Sequence, residues 1–377
     1  MTGALDGILV ADFSRVLAGP YATMLLADLG ATVIKVERPV LGDDTRAWGP
    51  PFTDDGTSTY FESINRNKKS LTLDLNQPHD RIRAKNQIAQ ADVMVENFKV
   101  GGLERYGLDY PTVSASNDRL IYCSISGFGA GAGRDLPGYD LLVQAMGGLM
   151  SITGEDSPTK VGVALVDVLT GLHASVAILA ALHERGESGL GQLIEVNLLS
   201  VLLASMVNQS AGFALGGAVP TMMGNAHPSI APYELFQARD RALIIAVGND
   251  HQFQQLMHAL DLAALGHEDR FSTNSNRVAH RVELKEIIES KLCELNADDW
   301  HAKFVAAGVP AGPINNIEQA FDLAQSLGLS PITNGQVTSP INLSRTPVGY
   351  RAPAPALGVD SQEIMDLLNL DNPNSGT

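Results

Sequence analysis

The sequence predicts an α/β protein: a large domain around a mostly parallel sheet, followed by a smaller, helix-rich α+β domain. Three observations carry this. Short β-rich runs alternate with helical stretches through the first half of the chain. Gly30 falls where a helix must end in a left-handed turn before the next strand. The stretch from Ala218 to Ala231, rich in Gly, Pro and Met, shows no period and marks a boundary.

Taken in order, Ile8 to Phe13 is a short apolar strand, Ala18-Gly19-Pro20 breaks it, Tyr21 to Leu29 reads as a helix, and Thr32 to Glu37 as the next strand. This βαβ unit places the acidic Glu37 where dinucleotide folds bind a ribose. The loop Arg15-Val16-Leu17-Ala18-Gly19-Pro20 lacks the G-x-G-x-x-G spacing that brings backbone close to a pyrophosphate, so NAD and FAD are rejected. Strands are expected at Ser70 to Leu75, Val93 to Glu96 and Leu120 to Ser126, with a helix over Arg81 to Gln90. Helices are expected over Gly171 to Arg185 and Leu198 to Ala214, on either side of a strand from Leu193 to Asn197. The large domain thus covers residues 1–217. The smaller one, 218–327, has a strand at Leu243 to Val247 and amphipathic helices at His251 to Leu262, Arg281 to Leu295 and Ala297 to Ala307, giving one or two strands in all. Residues 328–377 form an irregular, Pro-rich tail that ends in a short helix from Asp360 to Leu370.

The 377 residues, 45% hydrophobic and 18% charged, can bury a substantial core. A formal net charge of -16 argues against a nucleic-acid partner, which calls for a basic surface. The two cysteines, Cys123 and Cys293, are far apart in sequence and give no disulfide framework or zinc spacing; a reducing, cytoplasmic setting is expected. The most apolar window, Val163 to Leu182, is interrupted by Asp167 and His173 and reads as a buried helix with the segment before it, too short for a membrane span.

Asp167 closes the apolar run Val161 to Val166, where a carboxylate is costly unless paired or used. Its position fits two readings: a helix N-cap, or a nucleophile kept ionised by the helix N-terminus. Arg15, Arg38, Lys68, Lys69, Lys99 and Arg105 concentrate near predicted strand ends and could form a local anion site. His227 lies in an irregular loop after Gly224, the kind of segment that carries function. No G-x-S-x-G, Walker-type or H-E-x-x-H motif is present, which disfavours serine hydrolases, P-loop enzymes and zincins.

Several ordered blocks together resemble the family III CoA-transferases. They are Asp12-Phe13-Ser14-Arg15-Val16-Leu17-Ala18-Gly19-Pro20, Val33-Ile34-Lys35-Val36-Glu37-Arg38, Asn67-Lys68-Lys69-Ser70-Leu71, Val95-Glu96-Asn97-Phe98 with Arg105 downstream, and the Asp167 segment. The resemblance implies a Rossmann-like large domain completed by the returning tail, and a homodimer of interlocked rings. It implies a coenzyme A site lined by Val16, Ala18, Arg38, Leu73 to Asn76, Asn97, Phe98, Lys99, Arg105 and Tyr139, with Asp167 as covalent nucleophile. Acyl-CoA and a small carboxylic acid would then be the substrates, with no tightly bound cofactor, no metal and no membrane partner. Family racemases carry His where this chain has Tyr139, and a phenol is a poor proton shuttle near neutral pH. Transfer is therefore expected over racemisation, and over a non-catalytic CoA-binding role. The formyl-CoA:oxalate enzymes carry a glycine run over the site, whereas here Met222 to Tyr233 contains Gly224 and His227. That departure suggests short dicarboxylates as acceptors, with acetyl-CoA, succinyl-CoA or formyl-CoA as donor and His227 facing the second carboxylate.

Overall fold

The computed structural model describes residues 3–371, which separate into two compact units. The first takes the chain up to Leu149, Lys160–Val219, and the tail from Ile332; the second takes Met150–Thr159 and Pro220–Pro331.

In the first unit the chain runs β1 (Leu9–Asp12), α1 (Ala18–Asp28), β2 (Thr32–Glu37), α2 (Thr59–Asn65), β3 (Lys68–Thr72), α3 (Pro78–Gln90), β4 (Val93–Glu96), α4 (Tyr110–Ser114) and β5 (Ile121–Ser126). It continues through α5 (Asp140–Met146), α6 (Leu165–Ser188), β6 (Leu193–Asn197), α7 (Leu198–Ser205) and α8 (Val207–Gly216). The six strands form one parallel sheet in the order β3-β2-β1-β4-β5-β6. The order reverses between β1 and β4, and a sheet of this kind opens a crevice at that point beyond its strand ends. Alternate residues serve opposite faces: Val10, Val33, Val93 and Cys123 pack with α1 and α6, while Ala11, Ile34, Met94 and Tyr122 pack with α3 and α4.

Several elements differ from expectation. The first helix begins at Ala18, because Pro20 in its opening turn removes an N–H that has no helical partner there. The third strand is Lys68–Thr72, two residues earlier than the apolar pattern suggests; Lys68 is buried by pairing with Asp12, which the pattern cannot show. The helix expected from Gly171 begins earlier: the apolar run before Asp167 enters α6 at Leu165, a single helix of 24 residues. That helix is long and apolar enough to cross a bilayer, contrary to the window count, but its buried face lies on α1 and the sheet. Gly171 makes this close packing feasible, since a Cβ there would stand 2.7 Å from the Ala18 carbonyl oxygen. The helix expected over Leu198 to Ala214 is two helices, α7 and α8, with an 85° bend between them.

The second unit has a three-stranded antiparallel sheet, one strand more than expected, from β7 (Tyr233–Gln237), β8 (Ala242–Ala246) and the short β9 (Ala311–Pro313). Its helices are α9 (Asp250–Ala259), α10 (Asn274–Ala279), α11 (Arg281–Leu292), α12 (Ala297–Ala306) and α13 (Ile317–Ser326). Phe236, Phe253, Phe271, Trp300 and Phe304 form its core. Met150–Thr159 joins this unit by its bonds: the Gly224 N–H donates to the Gly154 carbonyl at 3.1 Å.

The tail returns to the first unit with the small hairpin β10 (Ile332–Thr333) and β11 (Gln336–Val337) and helix α14 (Ser361–Leu367). Arg351 donates to the carbonyls of Ala27, Gly30 and Ala31 at the end of α1, and Ile364 fills the core beside α3.

Candidate active site

A cleft of about 440 Å³ opens where β1, β4 and β5 end. Its walls come from Arg15 to Ala18 after β1, Asn97 to Val100 after β4, Ile125 to Gly129, and Gly133 to Tyr139 before α5. Asp167 from the first turn of α6 completes it.

The wall after β1 rests on a buried ionic frame. Asp12 is fully buried and accepts from Thr23 Oγ1 at 2.7 Å and Lys68 Nζ at 3.0 Å. Burial favours its neutral form, but Lys68 and Lys35 outweigh that and hold the carboxyl below its ordinary value. Lys35 donates to the Ser14 carbonyl at 3.0 Å and pairs with Asp43 at 2.8 Å. Asn97 clamps the next residue, accepting from Arg15 N at 2.8 Å and donating to Arg15 O at 2.7 Å. The Arg15 guanidinium lies over the Phe98 ring, 4.8 Å from its centroid, and forms no ion pair among the described residues.

Asp167 is the third residue of α6 and does not cap it. The cap comes from Asp140, whose Oδ1 accepts from Val166 N at 2.8 Å and Asp167 N at 3.2 Å. Gln144 Nε2 donates to the other Asp140 oxygen at 2.6 Å and so fixes it. The Asp167 carboxylate accepts no hydrogen bond from the described residues. Burial and then the Asp140 charge push it up to about 7, so the helix N-terminus does not keep it fully ionised as expected.

A smaller cleft of about 140 Å³ shares Arg15 and Phe98 with the first and is walled by Arg38, Leu73, Asn76 and Tyr106. Glu37 also borders it, tied to Arg46 at 2.7 Å and Ser70 Oγ at 2.7 Å. The structure therefore brings Val16, Ala18, Asn97, Phe98, Lys99, Tyr139 and Asp167 to one cleft, and Arg38, Leu73 and Asn76 to its neighbour. Arg105 lies on neither wall; its guanidinium covers Tyr106, whose hydroxyl reaches Asn76 Oδ1 at 3.3 Å. Of the six cations expected near the strand ends, Arg15, Arg38 and Lys99 line the two adjoining clefts. Lys68 is buried on Asp12, Lys69 pairs with Glu363, Arg38 with Asp44, and Lys99 with Asp135. All but Asp44 of these carboxylates are distant in sequence, and spacing alone cannot reveal such partners.

In the second unit Gly224 has φ +57, and the His227 ring stands edge-on to Tyr233 with centroids 5.3 Å apart. His227 Nδ1 accepts from Ser229 N at 3.1 Å, leaving Nε2 as the donor of the neutral ring.

Sequence reasoning missed Asp140, Arg134, Asp43 and Tyr60. Asp140 follows Tyr139 directly, and a carboxylate at the start of a helix was a readable signal. Tyr60, on α2, lines neither cleft but lies within electrostatic reach of Asp167. Its phenol is pushed up to about 12 by burial and then by the charges of Asp167, Asp140 and Asp43.

A family model described as CoA-transferase family III matches residues 5–361. The chain is 44% identical to a succinate–glutarate CoA-transferase of Agrobacterium fabrum over 96% of its length and 94% of that protein. It is 39% identical to the human succinyl-CoA:glutarate CoA-transferase, covering 98% of this chain and 87% of that one. It is also 39% identical to an acetyl-CoA:oxalate CoA-transferase of Acetobacter aceti over 90% of this chain and 88% of the relative. A crystal structure of a CAIB/BAIF family protein from Brucella suis superposes with a TM-score of 0.88 at 42% identity, covering 98% of this chain and all of the other.

Proposed function

Because this chain belongs to CoA-transferase family III and is a CoA-transferase, we propose that it moves coenzyme A from an acyl-CoA to a short dicarboxylic acid through a thioester on Asp167. The observation that carries the proposal is the Asp167 carboxylate itself, relieved of capping by Asp140 and open to the cleft.

The chemistry follows from a carboxylate free to attack. Asp167 adds to the donor thioester carbonyl, the C–S bond breaks, and a mixed anhydride and CoA thiolate result. The thiolate then attacks the Asp167 carbonyl, releasing the donor acid as its carboxylate and leaving an aspartyl-CoA thioester. An acceptor carboxylate attacks that thioester, and the two exchanges run in reverse to give the new acyl-CoA and free Asp167. Thioester energy is retained at each step, so no nucleotide is consumed. Val16, Ala18, Asn97, Phe98, Lys99 and Tyr139 are assigned to the CoA ester, with Arg38, Leu73 and Asn76 at the smaller cleft for its nucleotide end. Arg38 and Arg105 are assigned to CoA phosphates through charge-assisted bonds. Backbone N–H groups near Gly127 are the assigned oxyanion donors.

The relatives' names support succinyl-CoA or acetyl-CoA as donor and a dicarboxylate as acceptor. His227, near Gly224 in the loop that departs from a glycine run, is assigned to the acceptor's second carboxylate. A cytoplasmic homodimer of interlocked rings completes the reading.

Intact-protein mass spectrometry tests it, with wild type and Asp167→Ala each mixed with succinyl-CoA, acetyl-CoA or formyl-CoA and trapped with borohydride or hydroxylamine. A trapped modification at Asp167 in the wild type alone is the expected result. No modification with any of the thioesters, while CoA transfer from an acyl-CoA to a free acid still proceeds, would rule out the covalent route.

A further inference from the structure

Val16 adopts φ +68, a left-handed conformation that a β-branched residue avoids. It does so in the wall facing Asp167, so something must hold it there. Its N–H is directed at Asp43, with both carboxylate oxygens at 3.3 Å. Asp43 is 1% exposed, and its other bonds fix its orientation: Thr45 N at 3.0 Å, Thr45 Oγ1 at 2.8 Å and Lys35 Nζ at 2.8 Å. Burial opposes its charge, but Lys35 and Thr45 outweigh burial and hold its pKa below the ordinary value, so it remains an acceptor at neutral pH. On the other side, Asn97 grips Arg15 by both backbone groups. The strained residue is therefore held at its own N–H by Asp43, and the residue before it is fixed by Asn97.

We propose that Asp43, oriented by its buried pair with Lys35, is a positioning residue for the transfer reaction: it holds Val16 left-handed and so shapes the Arg15 to Ala18 wall against the CoA ester. The inference rests on the reading that this cleft takes the CoA ester. Asp43 touches no reacting atom; it acts through the backbone of Val16. A buried ion pair adds little to stability over a well-packed apolar pair, so a positioning role gives a reason for charge at this place.

The test exploits the strain. Glycine reaches φ near +68 without cost, so Val16→Gly removes the need for the clamp. Isothermal titration with free CoA is carried out on the full-length wild type, Asp43→Asn, Val16→Gly and the double variant, with thermal melts alongside. Asp43→Asn should weaken CoA binding about tenfold when Val16 is present. It should weaken it by less than about twofold on the Val16→Gly background. Equal losses on both backgrounds would overturn the role of Asp43 and leave the transfer reading intact. A wild type that binds no CoA would overturn the transfer reading and this role together. Should Asp43→Asn not fold, amide hydrogen exchange on the wild type decides the matter: strong protection of the Val16 N–H is expected, and exchange at the rate of an exposed loop overturns the clamp.

Discussion

At neutral pH the Asp167 carboxyl is close to half protonated, because burial and, second, the Asp140 charge push it up to about 7. Only the ionised form attacks a thioester, so kcat/KM should rise with pH through about 7 and then level off. Asp140→Asn keeps an acceptor for the N–H groups of Val166 and Asp167 but removes the charge. The ascending limb should then move to lower pH while the fold persists, because one of the two causes of the shift is gone. A pH profile of acyl-CoA loading checks this, and an unmoved limb would mean that Asp140 acts only as a cap.

Between residue and fold, the site depends on one loop, from β5 to α5, whose two ends touch through their backbones. A Cβ on Gly127, just after β5, would stand 2.3 Å from the Gly138 Cα ahead of α5, and one on Gly138 would stand 2.6 Å from the Gly127 Cα. The close approach of the loop's two ends sets Tyr139 on the cleft and Asp140 at the start of α6. Gly127→Ala should cost about 1–3 kcal/mol of stability by overpacking and reduce loading. Gly131→Ala, on the same loop with nothing within 4 Å, should be near neutral. Chemical denaturation of the two variants makes the comparison, and equal stabilities would show that the loop yields without cost.

For the molecule as a whole, apolar side chains remain uncovered in the isolated chain. Leu172, Val176 and Leu179 share one exposed stripe of α6, and Val207, Phe213 and Leu215 stand exposed on α8. Surfaces of this kind mark association sites and agree with the proposed homodimer. Light scattering should give twice the 40.0 kDa of one chain, and Val176→Glu should shift the population toward the smaller mass. A mass of 40.0 kDa at micromolar concentration would remove the dimer from the reading.

The alternation of β-rich and helical runs is enough to read the α/β class, and β2, β4 and β6 are legible to the residue, because both periodicities are local; β2 and β4 are buried, whereas β6 is a half-exposed edge strand. The Asp167 carboxylate, to which the nucleophilic role is proposed, was legible too, as a charge that an apolar run would not otherwise tolerate. Local pattern cannot say that Asp140 rather than Asp167 caps α6, that Lys68 serves Asp12 instead of a ligand, or that Asp43 reaches Val16. Each of these depends on side chains brought together from separate elements, so burial and pairing energies, which exist only once the chain has folded, decide which charge is held, which is shifted and which is left free to react.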